Sequence, residues 1–244
     1  MSAIVTVEHV AKRFGKTRVL EDVSFTLPEK GVSVLLGANG EGKSTLLRLL
    51  LGLSRADAGE LCVLGLDPIR DGRALRTEVA YVPDQPDNPS WMTPGELFRF
   101  LKPQYPRWNQ ERAERLSASW DVPLEHTFEQ LSRGQAARAL LAAALAQTPR
   151  LLLLDECFAG LDPLARRDLL AGFLAESAEL EIATLLVTHD LDVAARVAEQ
   201  VLVLAEGRIR TQGSLAEVLQ ADEESARVSS KLLGLLERAR EVAA

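Results

Sequence analysis

Residues 37–45 read Gly-Ala-Asn-Gly-Glu-Gly-Lys-Ser-Thr, and Gly37, Gly42, Lys43 and Ser44 hold the spacing G-x-x-x-x-G-K-[ST]. That is the pattern of a phosphate-binding P-loop. Gly37, Gly40 and Gly42 let the backbone wrap an anion, and Asn39 tolerates the left-handed turn such a loop needs. The loop amides and the start of the following helix then face phosphate. In this arrangement Lys43 reaches the β- and γ-phosphates, Ser44 holds Mg²⁺ and Thr45 lies near the α-phosphate.

A phosphate site also needs a metal ligand and a group that activates water. Asp155 and Glu156 end a run of four leucines, Leu151 to Leu154. A buried parallel strand presents its C-terminal end to the ligand crevice, which puts Asp155 where a Walker-B-type aspartate holds Mg²⁺. Glu156, one residue on, can point at the attacking water as a general base. His189 repeats the geometry after the apolar run 184–187 and Thr188, and can hydrogen-bond a γ-phosphate or serve as a plain surface histidine. His9 and His126 have no such setting and read as structural. Ser132 and Gly134, in Leu131-Ser132-Arg133-Gly134-Gln135, offer a hydroxyl and amides to phosphate at a second helix start. Alone, that stretch reads as a capped helix start before it reads as a phosphate site.

The elements that must position these groups follow from periodicity. Residues 3–8 and 19–27 read as strands, the second by the alternation of Val23, Phe25 and Leu27 with Ser24 and Thr26. Lys12 to Lys16 reads as a loop. Its Phe14 either stacks on a nucleotide base, worth roughly 1–3 kcal/mol, or folds into the core as aromatics commonly do. Residues 54–73 are turn-rich, and Glu78–Val82 is a strand ended by three prolines in residues 83–89, a hinge and candidate boundary. Thr93 and Asn109 cap helices, the second over 110–119, and Ser132 caps a third over 133–147, so residues 87–147 form a mostly helical insert. Beyond Pro149 come the strand 151–154, a helix over 164–179, the strand 184–188, a short helix over 191–198 and strands at 201–205 and 208–211. This order predicts an α/β fold with a mainly parallel sheet, preceded by an antiparallel N-terminal β region. Residues 214–244 read as a charged helical extension, with an apolar stripe through Val228, Leu232, Leu235 and Leu236.

Composition narrows the function classes. The 244 residues carry a formal charge of −7 with no basic stripe, which argues against a nucleic-acid surface. Cys62 and Cys157 are the only cysteines, and two distant cysteines without a CxxC pattern suggest neither a zinc site nor a disulfide framework. A reducing compartment is the expectation. The N-terminus lacks the basic and apolar regions of a secretory signal, and the most apolar helical stretch, Ala139–Ala146, is far too short to cross a bilayer.

The P-loop, the 131–135 stretch, Leu151 to Glu156, Gly160-Leu161-Asp162-Pro163 and Thr188-His189-Asp190 occur in an order that resembles the nucleotide-binding domain of ATP-binding cassette (ABC) proteins, over about residues 3–213. The resemblance implies a P-loop NTPase core with an inserted helical subdomain, ATP and Mg²⁺ as cofactors, and ATPase activity. It makes Phe14 the adenine-stacking aromatic, Ser132, Gly134 and Gln135 the signature facing the ATP of a second chain, Asp162 the loop coupling two sites, Glu156 the base and His189 the γ-phosphate histidine. It implies a head-to-tail homodimer or heterodimer of ATPase chains, docked on a separate transmembrane permease at the cytoplasmic face of the cell membrane. The chain departs from the family at Ala38, Glu41, Arg133 and Cys157. The usual metal-sensing Gln position falls on Asp84, with Gln85 next, so either residue is a candidate Mg²⁺ ligand. Asp84 and the stretch from Trp91 to Trp108 look like the exporter-type branch made as separate chains. The competing class is an ABC-type ATPase acting on ribosomes or DNA, which the single cassette without a coiled-coil insert disfavours.

Overall fold

The computed structural model describes residues 3–84, 89–219 and 225–241. In chain order its elements are β1 (Ala3–Phe14), β2 (Thr17–Pro28), β3 (Gly31–Leu36), α1 (Lys43–Leu50), β4 (Ala58–Val63), α2 (Gly72–Leu75), β5 (Val79–Val82), α3 (Pro94–Leu101), α4 (Gln110–Ser119), α5 (Arg133–Ala146), β6 (Leu151–Asp155), α6 (Pro163–Leu180), β7 (Ala183–Thr188), α7 (Leu191–Val197), β8 (Gln200–Ala205), β9 (Arg208–Ser214), α8 (Leu215–Leu219) and α9 (Ser225–Glu241). They form two compact units, one of residues up to Arg76 together with those from Ala183 onward, the other of Thr77–Ile182.

The first unit holds strands in the order β4-β1-β2-β9-β8-β3-β7. β1 pairs antiparallel with β2 and β4, and β8 with β9, while β3 lies parallel between β7 and β8. The parallel strands are buried along nearly their whole length: Val32–Leu36 and Ala183–Thr188 expose almost nothing. Such continuous apolar runs are what a strand covered on both faces requires. The expected N-terminal antiparallel region and parallel core are both present, so the sheet is mixed. β1 runs through Phe14, so Lys12–Phe14 is strand, not loop. The hairpin turn is confined to the two residues that follow. Lys12 Nζ donates to Asp57 Oδ1 (3.2 Å) and the Arg13 amide to Asp57 Oδ2 (2.6 Å), which gives these charged strand residues partners across the β1–β4 edge. α9 packs on α7 and β8 and buries Leu232 completely, while the Ser229 hydroxyl donates to Asp192 (2.7 Å).

The second unit pairs β5 and β6 in parallel and carries the helices α3 to α6, of which α5 packs against β5. The helix starts follow their caps. Thr93 and Ser132 form capping boxes with Glu96 and Gln135, and Asn109 and Asp162 accept from amides of α4 and α6. α4 and α6 meet through a buried ion pair, Arg112 Nε to Glu176 Oε2 at 3.1 Å. On α6, Gly172 lets the Trp120 ring approach, since a Cβ there would stand 2.6 Å from the indole nitrogen.

Candidate nucleotide-binding site

In the first unit the chain leaves β3 at Gly37 and turns back into α1. A Cβ on Gly37 would meet the Leu204 carbonyl oxygen at 2.7 Å, so the close approach requires glycine. Gly40 and Gly42 sit at φ 87° and 96°, the left-handed region that favours glycine. Lys43 is 6 % exposed, and its ammonium donates to the Gly37 and Ala38 carbonyls at 2.8 and 2.9 Å, folded over its own loop. Ser44, Asn39 and Gly40 are exposed and Thr45 half-buried. Thr93, Asn109, Ser132, Asp162 and Asp190 each cap a helix with a side-chain oxygen, whereas α1 starts at Gly42 with no side-chain cap. Its first amides keep the donor capacity an anion uses. Glu41, where the family commonly has a small residue, accepts from the Glu206 amide at 2.5 Å and ties the loop to the β8–β9 turn.

His189 lies beside this loop in register. Leu36 pairs with Thr188 across parallel β3 and β7, so Gly37 and His189 leave adjacent strands at one level. His189 is exposed, and its neighbours are fixed: Thr188 Oγ1 accepts from the Asp190 amide, and Asp190 caps α7. Phe14 is 50 % exposed at the end of β1, with the Lys12 ammonium 5.4 Å from its ring centroid. The core reading of Phe14 is therefore overturned, and the ring is available at the surface.

In the second unit, Tyr81–Leu153 and Val82–Leu154 are register partners, so Asp84 and Asp155 come off the same ends of β5 and β6. Asp155 is buried and accepts from the Tyr81 hydroxyl (3.4 Å). Glu156 adopts φ 50°, an uncommon conformation for a residue with a side chain, and its carbonyl accepts from the Ala159 amide (2.9 Å) to close the following turn. Cys157 is buried, and that burial pushes its thiol pKa well above the usual range. The Ser132 hydroxyl accepts from the Gln135 amide (3.2 Å) and Gln135 Oε1 from the Ser132 amide (2.9 Å), so both side chains serve the helix cap. Gly134 has room around it; a Cβ there would find Leu161 no nearer than 3.8 Å. Gln85 lies outside the described residues. Asp84 is exposed and bonded to Arg133. The pair lines a cavity of about 420 Å³ with Val82, Phe128, Leu140 and Cys157. Sequence reasoning missed this pairing and those of Tyr81 with Asp155 and Glu41 with Glu206. For Asp84 and Arg133 a signal existed: two departures from the family pattern, of opposite charge.

Among the described residues no cluster of three or more His, Cys, Asp or Glu could hold a metal by itself. The candidate donors Ser44 and Asp155 are hard oxygens. Mg²⁺ suits them, because it is commonly held by one or two carboxylates and the phosphates of its substrate.

Residues 20–159 match the sequence profile of the family described as ABC transporter. The chain belongs to that family. ABC ATP-binding proteins are ATPases, and this chain has their mixed α/β P-loop NTPase-like fold. It is 38 % identical over 219 residues to the sulfate/thiosulfate import ATP-binding protein CysA of Burkholderia mallei, covering 86 % of this chain and 62 % of CysA. It thus spans about three-fifths of the length of that ABC relative. It is 40 % identical over 211 residues to the aliphatic sulfonates import ATP-binding protein SsuB 1 of Nocardia farcinica, covering 84 % of this chain and 79 % of SsuB. A solved structure of an ATP-binding subunit of an ABC transporter superposes with a TM-score of 0.79 at 27 % identity, over 89 % of this chain and 92 % of that one. Both named relatives are import proteins, so they lend no support to the exporter branch. Among the described residues no helix is long and apolar enough to cross a membrane.

Proposed function

We propose that the chain binds and hydrolyses ATP as the energising subunit of a transporter whose permease is a separate transmembrane chain, at the cytoplasmic face of the cell membrane. The observation that supports this best is the glycine loop closed by Lys43, leading into a helix without a side-chain cap. Phe14 stacks on the adenine, and Gly37 to Thr45 take the phosphates. Ser44 and Asp155 hold Mg²⁺, with Asp84 or Gln85 completing its surroundings; bound there, the ion neutralises phosphate charge. Glu156 accepts the proton of the attacking water, and His189 donates to the γ-phosphate. Ser132, Gly134 and Gln135 serve the ATP of a second chain in a head-to-tail homodimer or heterodimer, coupled through Asp162. Binding closes that dimer, and hydrolysis reopens it. Residues 1–213 then form the ATPase domain, with 87–147 as its inserted helical part and 214–244 as an extension.

Export is the finer reading that Asp84 and residues 91–108 favour. Import is the second reading, favoured by the similarity to CysA and SsuB. Purifying tagged Glu156→Gln from native membranes with Mg-ATP tests the main proposal. A polytopic membrane protein in stoichiometric yield supports it, and uptake assays in inverted vesicles then read the direction. Ribosomal or chromosomal partners without a membrane protein would promote the competing class.

A further inference from the structure

Arg133 and Asp84 stand 49 positions apart in sequence and meet in one ion pair, with Arg133 Nη2 donating to Asp84 Oδ1 at 2.7 Å. The same guanidinium lies against the backbone of Gly160: a Cβ built there would stand 2.7 Å from Nη1 and 3.3 Å from Nε. Gly160 also adopts φ 69°, the left-handed region that favours glycine. One side chain therefore joins three places within the second unit: the exit of β5, the start of α5 and the turn between Glu156 and Asp162.

Resting on the reading that Asp84 serves the nucleotide's metal, we propose that Arg133 is a positioning residue that competes with Mg²⁺ for the Asp84 carboxylate and yields it when Mg²⁺ and nucleotide bind. Magnesium demands near-octahedral oxygen ligands at short range. A guanidinium already bonded to Oδ1 repels a dication brought to the same group, so the two cations compete for one carboxylate. The pair is half-exposed, with side-chain accessibilities of 52 % for Arg133 and 43 % for Asp84. An ion pair so solvated is weak and salt-sensitive, which suits a graded restraint and not a lock. Release of Asp84 also frees the guanidinium from its place beside Gly160, so the metal side and the 156–162 turn respond to one event.

The test is a Mg²⁺ titration of full-length chain with a fluorescent ATP analogue, MANT-ATP, at low salt. Arg133→Ala should lower the Mg²⁺ midpoint about two- to five-fold, the range expected for a half-exposed ion pair. Arg133→Lys, which keeps the charge without the fork, should fall between, and it stands in if the alanine variant misfolds. The gap should narrow at high salt. In an Asp84→Asn background the effect of Arg133→Ala should vanish. An unmoved midpoint with MANT-ATP still bound, or an equal shift in the Asp84→Asn background, overturns the proposal while leaving the nucleotide reading intact. Failure of the unaltered chain to bind MANT-ATP at all overturns both.

Discussion

Leu36 and Thr188 face each other in register across β3 and β7, so the glycine loop and His189 leave neighbouring strands side by side. This register carries a kinetic prediction. On the proposed reading His189 donates to charge that grows as the γ-phosphoryl group transfers, so in His189→Ala phosphate release should fall about 10²–10³-fold. The dissociation constant for MANT-ATP should change far less. A loss of binding as large as the loss of turnover would make His189 a ground-state contact.

Lys43 and Glu156 should separate binding from chemistry. Lys43→Ala removes the ammonium that bonds the Gly37 and Ala38 carbonyls and, on the proposed reading, the charge that meets phosphate, so MANT-ATP binding should weaken at least about tenfold. Glu156→Gln should keep binding, lose about 10²–10⁴ in turnover and dimerise with Mg-ATP. Sedimentation that finds this variant monomeric at saturating Mg-ATP would count against the dimer mechanism.

Glu176 accepts from Arg112 Nε (3.1 Å) and from both terminal nitrogens of Arg115 (2.6 and 3.0 Å) while nearly buried. Removing Arg112 leaves a buried carboxylate short of one partner, a class of change that costs about 3–5 kcal/mol. Arg115 remains, so Arg112→Ala should fall at the low end of that range. The double change Arg112→Met with Glu176→Leu should cost less than either single one, as an apolar pair replaces a buried charge. Urea unfolding midpoints would check this, and a double variant weaker than both singles would refute it.

The two cysteines should differ in chemistry. Cys62 is exposed and Cys157 buried, so iodoacetamide should label the folded chain once and the denatured chain twice. Burial raises the Cys157 thiol above its ordinary value of 9.0. As pH rises past that value the unfolded chain releases its proton first and binds fewer than the folded one. The contribution of Cys157 to stability is thus present below about pH 9 and lost above it. Urea midpoints at pH 7 and pH 10 should converge in Cys157→Ala relative to the unaltered chain.

Strands with an apolar run and helices with a polar cap were legible from sequence because their causes are local. Leu151–Asp155 needed only its own residues, as did the starts at Thr93, Asn109 and Ser132. Lys12 to Phe14 misled, because charge there reads as loop. What makes it strand is antiparallel pairing with β2, where Lys12, Arg13 and Phe14 face Leu20, Arg18 and Thr17, while Asp57, 44 and 45 positions on, bonds Lys12 and Arg13. The same limit hid Arg133 beside Asp84, whose meeting depends on the exit of β5 and the start of α5 being brought together by the unit as a whole. Phe14 was ambiguous for a related reason: an aromatic's burial is set by what covers it.

The bond between Glu41 and the Glu206 amide spans 165 positions and fixes the middle of the glycine loop to a turn across the sheet. A loop of three glycines would otherwise be among the floppiest parts of the chain. Here much of its conformational freedom is surrendered during folding, before any ligand arrives. An incoming polyphosphate then meets a receptor already shaped, and less of its binding energy is consumed in ordering the protein.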